Sequence, residues 1–162
     1  CDLLNQLVIT PGKYSFDISN INPYWLLRFQ SSFYAFLKKH STKIRSLGIP
    51  TQSASASVLR KMGRPYTPSA ISKLFTYIAK TYPHITLDTS IILGFPGETQ
   101  NEFYRTVDFL QRHPTIKVFG FLYSERPGTP ACTIFPKISP VIAKYRMRYL
   151  KKTLSDRLIL ML

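Results

Sequence analysis

A chain of 162 residues, 44% hydrophobic and 14% aromatic, is long enough for one buried core, short for two, and too apolar to stay disordered. Its 22 Lys and Arg against 8 Asp and Glu leave a net charge of +14, which attracts phosphate polymers or acidic surfaces. No apolar run approaches the roughly 18 residues of a membrane span. Two cysteines, Cys1 and Cys132, cannot build a disulfide framework, and no signal peptide opens the chain, so a reducing cytoplasm is the expected compartment.

The chain begins at Cys1 rather than Met, in the middle of a helical pattern over 2–7, which suggests a portion of something larger. A β-type run at 14–19 leads through Asn22-Pro23 into a helix from 24 to about 39. A second strand, 44–49, is ended by Pro50, and a short helix follows at 57–62. Thr67-Pro68 starts a longer helix with Ile71, Leu74, Phe75 and Ile78 on one face. The strand at 85–93 ends almost wholly apolar, so burial on both faces is expected. A helix at 99–111 turns Phe103, Val107 and Leu110 inward, and a fourth strand occupies 117–123. A basic helix over 144–157 closes the chain, with Ala143, Met147, Leu150 and Leu154 as its apolar stripe. Beside that stripe Lys144, Arg148, Lys151 and Lys152 form either a solvated face or one that meets RNA. Further cations gather at 38–45 and at Arg60, Lys61 and Arg64. Strand and helix alternate throughout, which predicts an α/β fold with about four parallel strands, too few for a closed eight-stranded barrel.

Ligands of parallel α/β folds gather at the C-terminal ends of strands. Four such ends, at 19–23, 50–55, 94–99 and 123–129, are rich in hydroxyls, Gly and Pro. Turn formation and helix capping explain each one singly. Together they point to a polar small molecule lying across the strand ends. His40, His84 and His113 match no metal-ligand spacing, Asp88 suits a site or its own backbone equally, and neither a Walker loop nor a dinucleotide fingerprint occurs. The residues themselves thus define a ligand-binding α/β unit with a basic face, and no reaction.

The same segments resemble the radical S-adenosylmethionine methylthiotransferases, which modify tRNA adenosines or a ribosomal protein. The resemblance rests on IPTQSAS at 49–55 followed by VLRKMGRPYT at 58–67, on TSIILGFPGET at 89–99, on YSERPGTPA at 123–131, and on the strand end from Ser19 to Pro23. It implies part of a (β/α)6 partial barrel, residues 1–162 being the C-terminal portion of its radical domain, with the third to sixth strands. It further implies S-adenosylmethionine as cofactor. Gln52, Ser53 and Ser55 would contact its ribose or methionine end, Thr89, Gly94 and Phe95 would line the adenosine side, and Tyr123 would add the last strand's contribution.

The family's CxxxCxxC is absent, as are its N-terminal domain and its C-terminal TRAM barrel. [4Fe-4S] clusters belong to the intact family enzyme, and the isolated chain is expected to hold none and to be inactive. Ala54 stands where the family has Gly, and Ser90 where tRNA-modifying members usually have Asp. The motifs MGRPYT and YSERPGT, with the charge, favour tRNA as partner over a ribosomal protein. Unpaired edges at the first and last strands of an incomplete barrel favour aggregation, or a chain or domain that completes the barrel as a second partner. A basic RNA-binding module without activity, or a gene remnant, are the alternatives.

Overall fold

The computed structural model describes residues 2–9 and 11–161; Cys1 lies outside them. In chain order the elements are α1 Asp2–Ile9, β1 Phe16–Ile18, α2 Pro23–Arg28, α3 Gln30–His40, β2 Ile44–Gly48, α4 Ala56–Lys61, α5 Pro68–Thr81, β3 Thr86–Leu93, α6 Gln100–Gln111, β4 Lys117–Leu122, α7 Pro140–Leu154 and β5 Leu158–Met161. All strand pairs are parallel and the sheet order is β1-β2-β3-β4-β5. Neighbouring strands are thus consecutive in sequence, and right-handed crossovers of this kind put every connecting helix on one face. The result is a partial α/β barrel.

Local chemistry starts several helices close to where the sequence indicates, although α7 begins at Pro140 rather than at 144. Asn22 accepts the amide of Tyr24 ahead of α2, Ser55 caps α4, Thr67 caps α5 and Ser139 caps α7, with Pro in the first turn of α2, α5 and α7. Thr99 and Glu102 form a reciprocal capping box on α6. Ile71, Leu74, Phe75 and Ile78 of α5, with Phe103, Val107 and Leu110 of α6, then bury themselves on Leu47, Ile49, Leu87, Ile91, Leu93 and Val118 of the sheet. Gly120 lets α7 approach β4, since a Cβ there would lie 3.2 Å from Met147 Sδ.

Three expectations are corrected. The sheet has five strands rather than about four, because the chain does not close on its basic helix. α7 stops at Leu154, Ser155 takes a left-handed φ of 49°, and β5 follows. The apolar run at 158–162 carries neither Gly nor Pro to separate it from the helical pattern, so periodicity reads through the break. Residues 24–39 form two helices, since Phe29 leaves the helical region at φ −111°, ψ 36°. β3 is buried on one face only. Leu87, Thr89, Ile91 and Leu93 lie under the helices, while Thr86, Asp88, Ser90 and Ile92 alternate with them on a half-buried face. That second face is the one that carries the site.

Candidate functional site

The ends of β1 to β4 open into a groove of two connected lobes. The first, of about 510 Å³, is bounded by Asn20 after β1, Gln52 after β2, Ser90, Ile92 and Phe95 along and after β3, and Phe121 to Ser124 at the end of β4, with Arg126, Thr129 and Ala131 from the loop beyond. The second, of about 470 Å³, shares Gln52, Ile92, Phe95, Thr129 and Ala131 with it and continues to Arg60, Lys61, Met62 and Arg64. Both are of the size that accommodates a small-molecule cofactor.

Gln52 stands between the lobes because its backbone is held in an unusual state. Its φ is +67°, a left-handed conformation that costs a non-glycine residue about 1–3 kcal/mol. Two hydrogen bonds hold it there: its N–H donates to Ser90 O at 2.8 Å, and Ile92 N–H donates to its carbonyl at 3.0 Å. Phe95 borders both lobes and meets Tyr123 edge to face, with ring centroids 5.3 Å apart. Tyr123 N–H donates to Leu93 O at 2.9 Å, extending the β3–β4 ladder by one residue. Its hydroxyl is buried and has no hydrogen-bond partner among the described residues.

The other four residues singled out by sequence lie behind the groove. Ser53 is fully buried; its Oγ accepts Ser55 N–H at 3.1 Å and lies 3.4 Å from Thr106 Oγ1. Ser55 accepts Val58 N–H and donates to Glu102 Oε1 at 3.1 Å, tying α4 to α6. Thr89 faces the helices, donating to Ile49 O at 2.9 Å and accepting Thr51 N–H at 3.0 Å. Gly94, at φ +78°, is buried against α7, where a Cβ would lie 2.9 Å from Ala143 Cβ. The structure therefore brings Gln52, Phe95 and Tyr123 together and places Ser53, Ser55, Thr89 and Gly94 in the scaffold that positions them. Ser90, Ile92 and Phe121 complete the wall. The alternation of 88, 90 and 92 against 87, 89, 91 and 93 is the sequence signal that marks the first two.

A buried ion pair fixes the turn after β3. Arg146 of α7 donates to Glu98 Oε2 at 2.7 Å and to Glu98 O at 3.1 Å, and Gly94 N–H donates to the same Oε2 at 3.3 Å. Both side chains are almost inaccessible, 3% and 1% exposed. Burial pushes the Glu98 carboxyl up to about 7 against the pull of Arg146. The pair anchors α7 onto the loop that carries Phe95.

Parallel strands wound in sequence around a groove at their C-terminal ends define a segment of an α/β barrel. No family model matches the chain. It is 34% identical, over 151 residues, to the tRNA-2-methylthio-N(6)-dimethylallyladenosine synthase of Lawsonia intracellularis, covering 93% of this chain and 32% of that protein. The synthase of the same name from Lachnoclostridium phytofermentans is 38% identical over 119 residues, 73% of this chain and 26% of the relative. The threonylcarbamoyladenosine tRNA methylthiotransferase of Thermotoga maritima is 31% identical over 155 residues, 96% of this chain and 35% of the relative. The chain belongs to the methylthiotransferase family, in its tRNA branch. It spans about a quarter to a third of the length of these curated relatives.

Proposed function

We propose that this chain forms the cofactor-holding, RNA-facing part of an enzyme that places a methylthio group on an adenosine of tRNA, with S-adenosylmethionine seated in the first lobe. The observation that carries the reading is a cofactor-sized cavity across the strand ends whose wall joins Gln52 and Ser90 to Phe95 and Tyr123. Phe95, Ile92 and the Tyr123 ring would hold an adenine, and Gln52 and Ser90 would meet the ribose or the amino-acid end. When bound, S-adenosylmethionine supplies the methyl group and the radical chemistry that the family resemblance implies.

A [4Fe-4S] cluster does not fit the described residues. They offer a single cysteine, Cys132, whose Sγ donates to Arg126 O at 2.9 Å, whereas such a cluster is held by several thiolates. With two cysteines in all 162 residues, the chain by itself is expected to bind the cofactor without turning it over. The +14 charge and the tRNA-modifying names of its relatives support tRNA as the substrate. β1 and β5 are the outermost strands, and a chain or domain extending the sheet beyond β1 would close the open side of the groove.

Calorimetric titration of S-adenosylmethionine into the 162-residue chain tests this. Gln52→Ala should weaken binding about 5- to 10-fold, the worth of one or two hydrogen bonds, while Ser53→Ala should lower stability and leave affinity unchanged. No binding by the wild-type chain, or a larger effect at Ser53 than at Gln52, would overturn the assignment.

A further inference from the structure

The second lobe of the groove differs in character from the first. α4 is short and ends at Lys61; Met62 and Gly63, the latter at φ +66°, turn the chain, and Arg64 N–H donates back to Leu59 O at 2.8 Å. That return brings Arg64 alongside Arg60 and Lys61, and all three residues border the lobe. Lys61 is fixed by donating to Gly97 O at 2.6 Å. Among the described residues, none of the three is paired with a carboxylate; the ion pairs there use Arg45, Arg112, Lys137 and Arg146 instead. A helix C-terminus favours cations in its last turn, which accounts for Arg60 and Lys61. Arg64 lies beyond the helix and needs another reason to be there.

We infer that this lobe is an oxyanion site that seats a phosphodiester of the RNA strand beside the cofactor in the neighbouring aromatic lobe. The inference rests on the reading of the groove as an RNA-modifying site and adds the residues that hold the strand. Three unneutralised cations beside one cavity exceed what the single carboxylate of S-adenosylmethionine requires, and Arg presents planar, forked donors to phosphate oxygens. Gln52, Ile92 and Phe95 border both lobes, so a phosphate held in the second lobe would set the strand next to the cofactor in the first. Lys61 and the two arginines are positioning residues in this scheme, since none touches the reacting atoms.

The test uses the whole 162-residue chain and a short fluorescein-labelled single-stranded RNA carrying one adenosine among uridines, followed by anisotropy across a salt series. Each phosphate contact on a single strand contributes about 0.7 to the slope of log K against log salt. Arg60→Gln/Arg64→Gln should therefore lower that slope by about 1.4 and weaken binding 10-fold or more at low salt. The charge-preserving Arg60→Lys/Arg64→Lys variant, which guards against a folding artefact, should retain the slope. Lys151→Gln/Lys152→Gln removes equal charge from α7, away from the groove, and should change it far less. An unchanged slope in the groove variant, an equal loss in the α7 variant, or no RNA binding by the wild-type chain would overturn the inference. Titration with S-adenosylmethionine separates the two readings. Loss of cofactor affinity in Arg60→Gln/Arg64→Gln with RNA binding intact would give the lobe to the cofactor's carboxylate and also overturn it. A wild-type chain that binds RNA through the lobe but no S-adenosylmethionine would leave the lobe standing and remove the cofactor assignment.

Discussion

Tyr123 and Gln52 both hold a local state that the fold alone does not favour. The Tyr123 hydroxyl is buried without a partner among the described residues, so Tyr123→Phe should leave thermal stability unchanged or slightly raised. The same change should leave S-adenosylmethionine affinity unchanged, since the ring that packs on Phe95 beside the cavity is kept. Gln52 at φ +67° makes the complementary case. Gln52→Gly removes the left-handed penalty and should stabilise the chain by about 1 kcal/mol in urea unfolding, while the amide lost from the groove weakens cofactor binding.

His113 reports on pH. It is buried beside Phe75 and Phe109, its Nε2 is 2.8 Å from Ser72 Oγ, and burial, with Arg112 adding to it, lowers its pKa below 6.5. The folded state therefore resists the proton that the unfolded state accepts. The stability this group contributes is complete above about 6.5 and is lost as the pH falls through the lowered folded value. In urea unfolding across that range, the advantage of wild type over His113→Gln should shrink on acidification; a constant difference would contradict the assignment.

At the scale of elements, the anchoring of α7 is the testable joint. Arg146→Met takes the cation from the buried Glu98 carboxyl, which must then take up a proton or stay charged unpaired, and breaking such a pair costs up to about 3–5 kcal/mol. Adding Glu98→Gln should recover part of that loss, and urea unfolding of the single and double variants measures both. Most elements were legible because their signals are local: Asn22-Pro23 for α2, Thr67-Pro68 and apolar periodicity for α5, and apolar spacing for α6 and α7. What the sequence concealed depends on tertiary placement. Phe29 interrupts a helix without Gly or Pro, and β5 follows α7 across a serine in the left-handed region. The site shows the same division. Sequence brought out the right loops, but hydroxyl-bearing residues in a loop read alike whether they face a cavity or tie α4 to α6. Ser53 and Ser55 are of the second kind, and only the pleat of β3 separates Thr89 from Ser90.

For the whole molecule, winding consecutive strands in one direction puts the helices on one face and leaves the other to form a groove. The net charge of +14 is placed so that part of it, at Arg60, Lys61, Arg64 and Arg126, borders that groove. No helix among the described residues is long and apolar enough to cross a membrane. The central claim is that the strand-end groove receives S-adenosylmethionine, and methyl-selective NMR of the chain titrated with that cofactor tests it most directly. The methyl groups of Ile92 and Ala131, which border both lobes, should shift with cofactor concentration, while those of Leu87 and Ile78, buried on the helix-covered side, should stay in place. Shifts confined to the helix side, or none at all at saturating cofactor, would contradict the account.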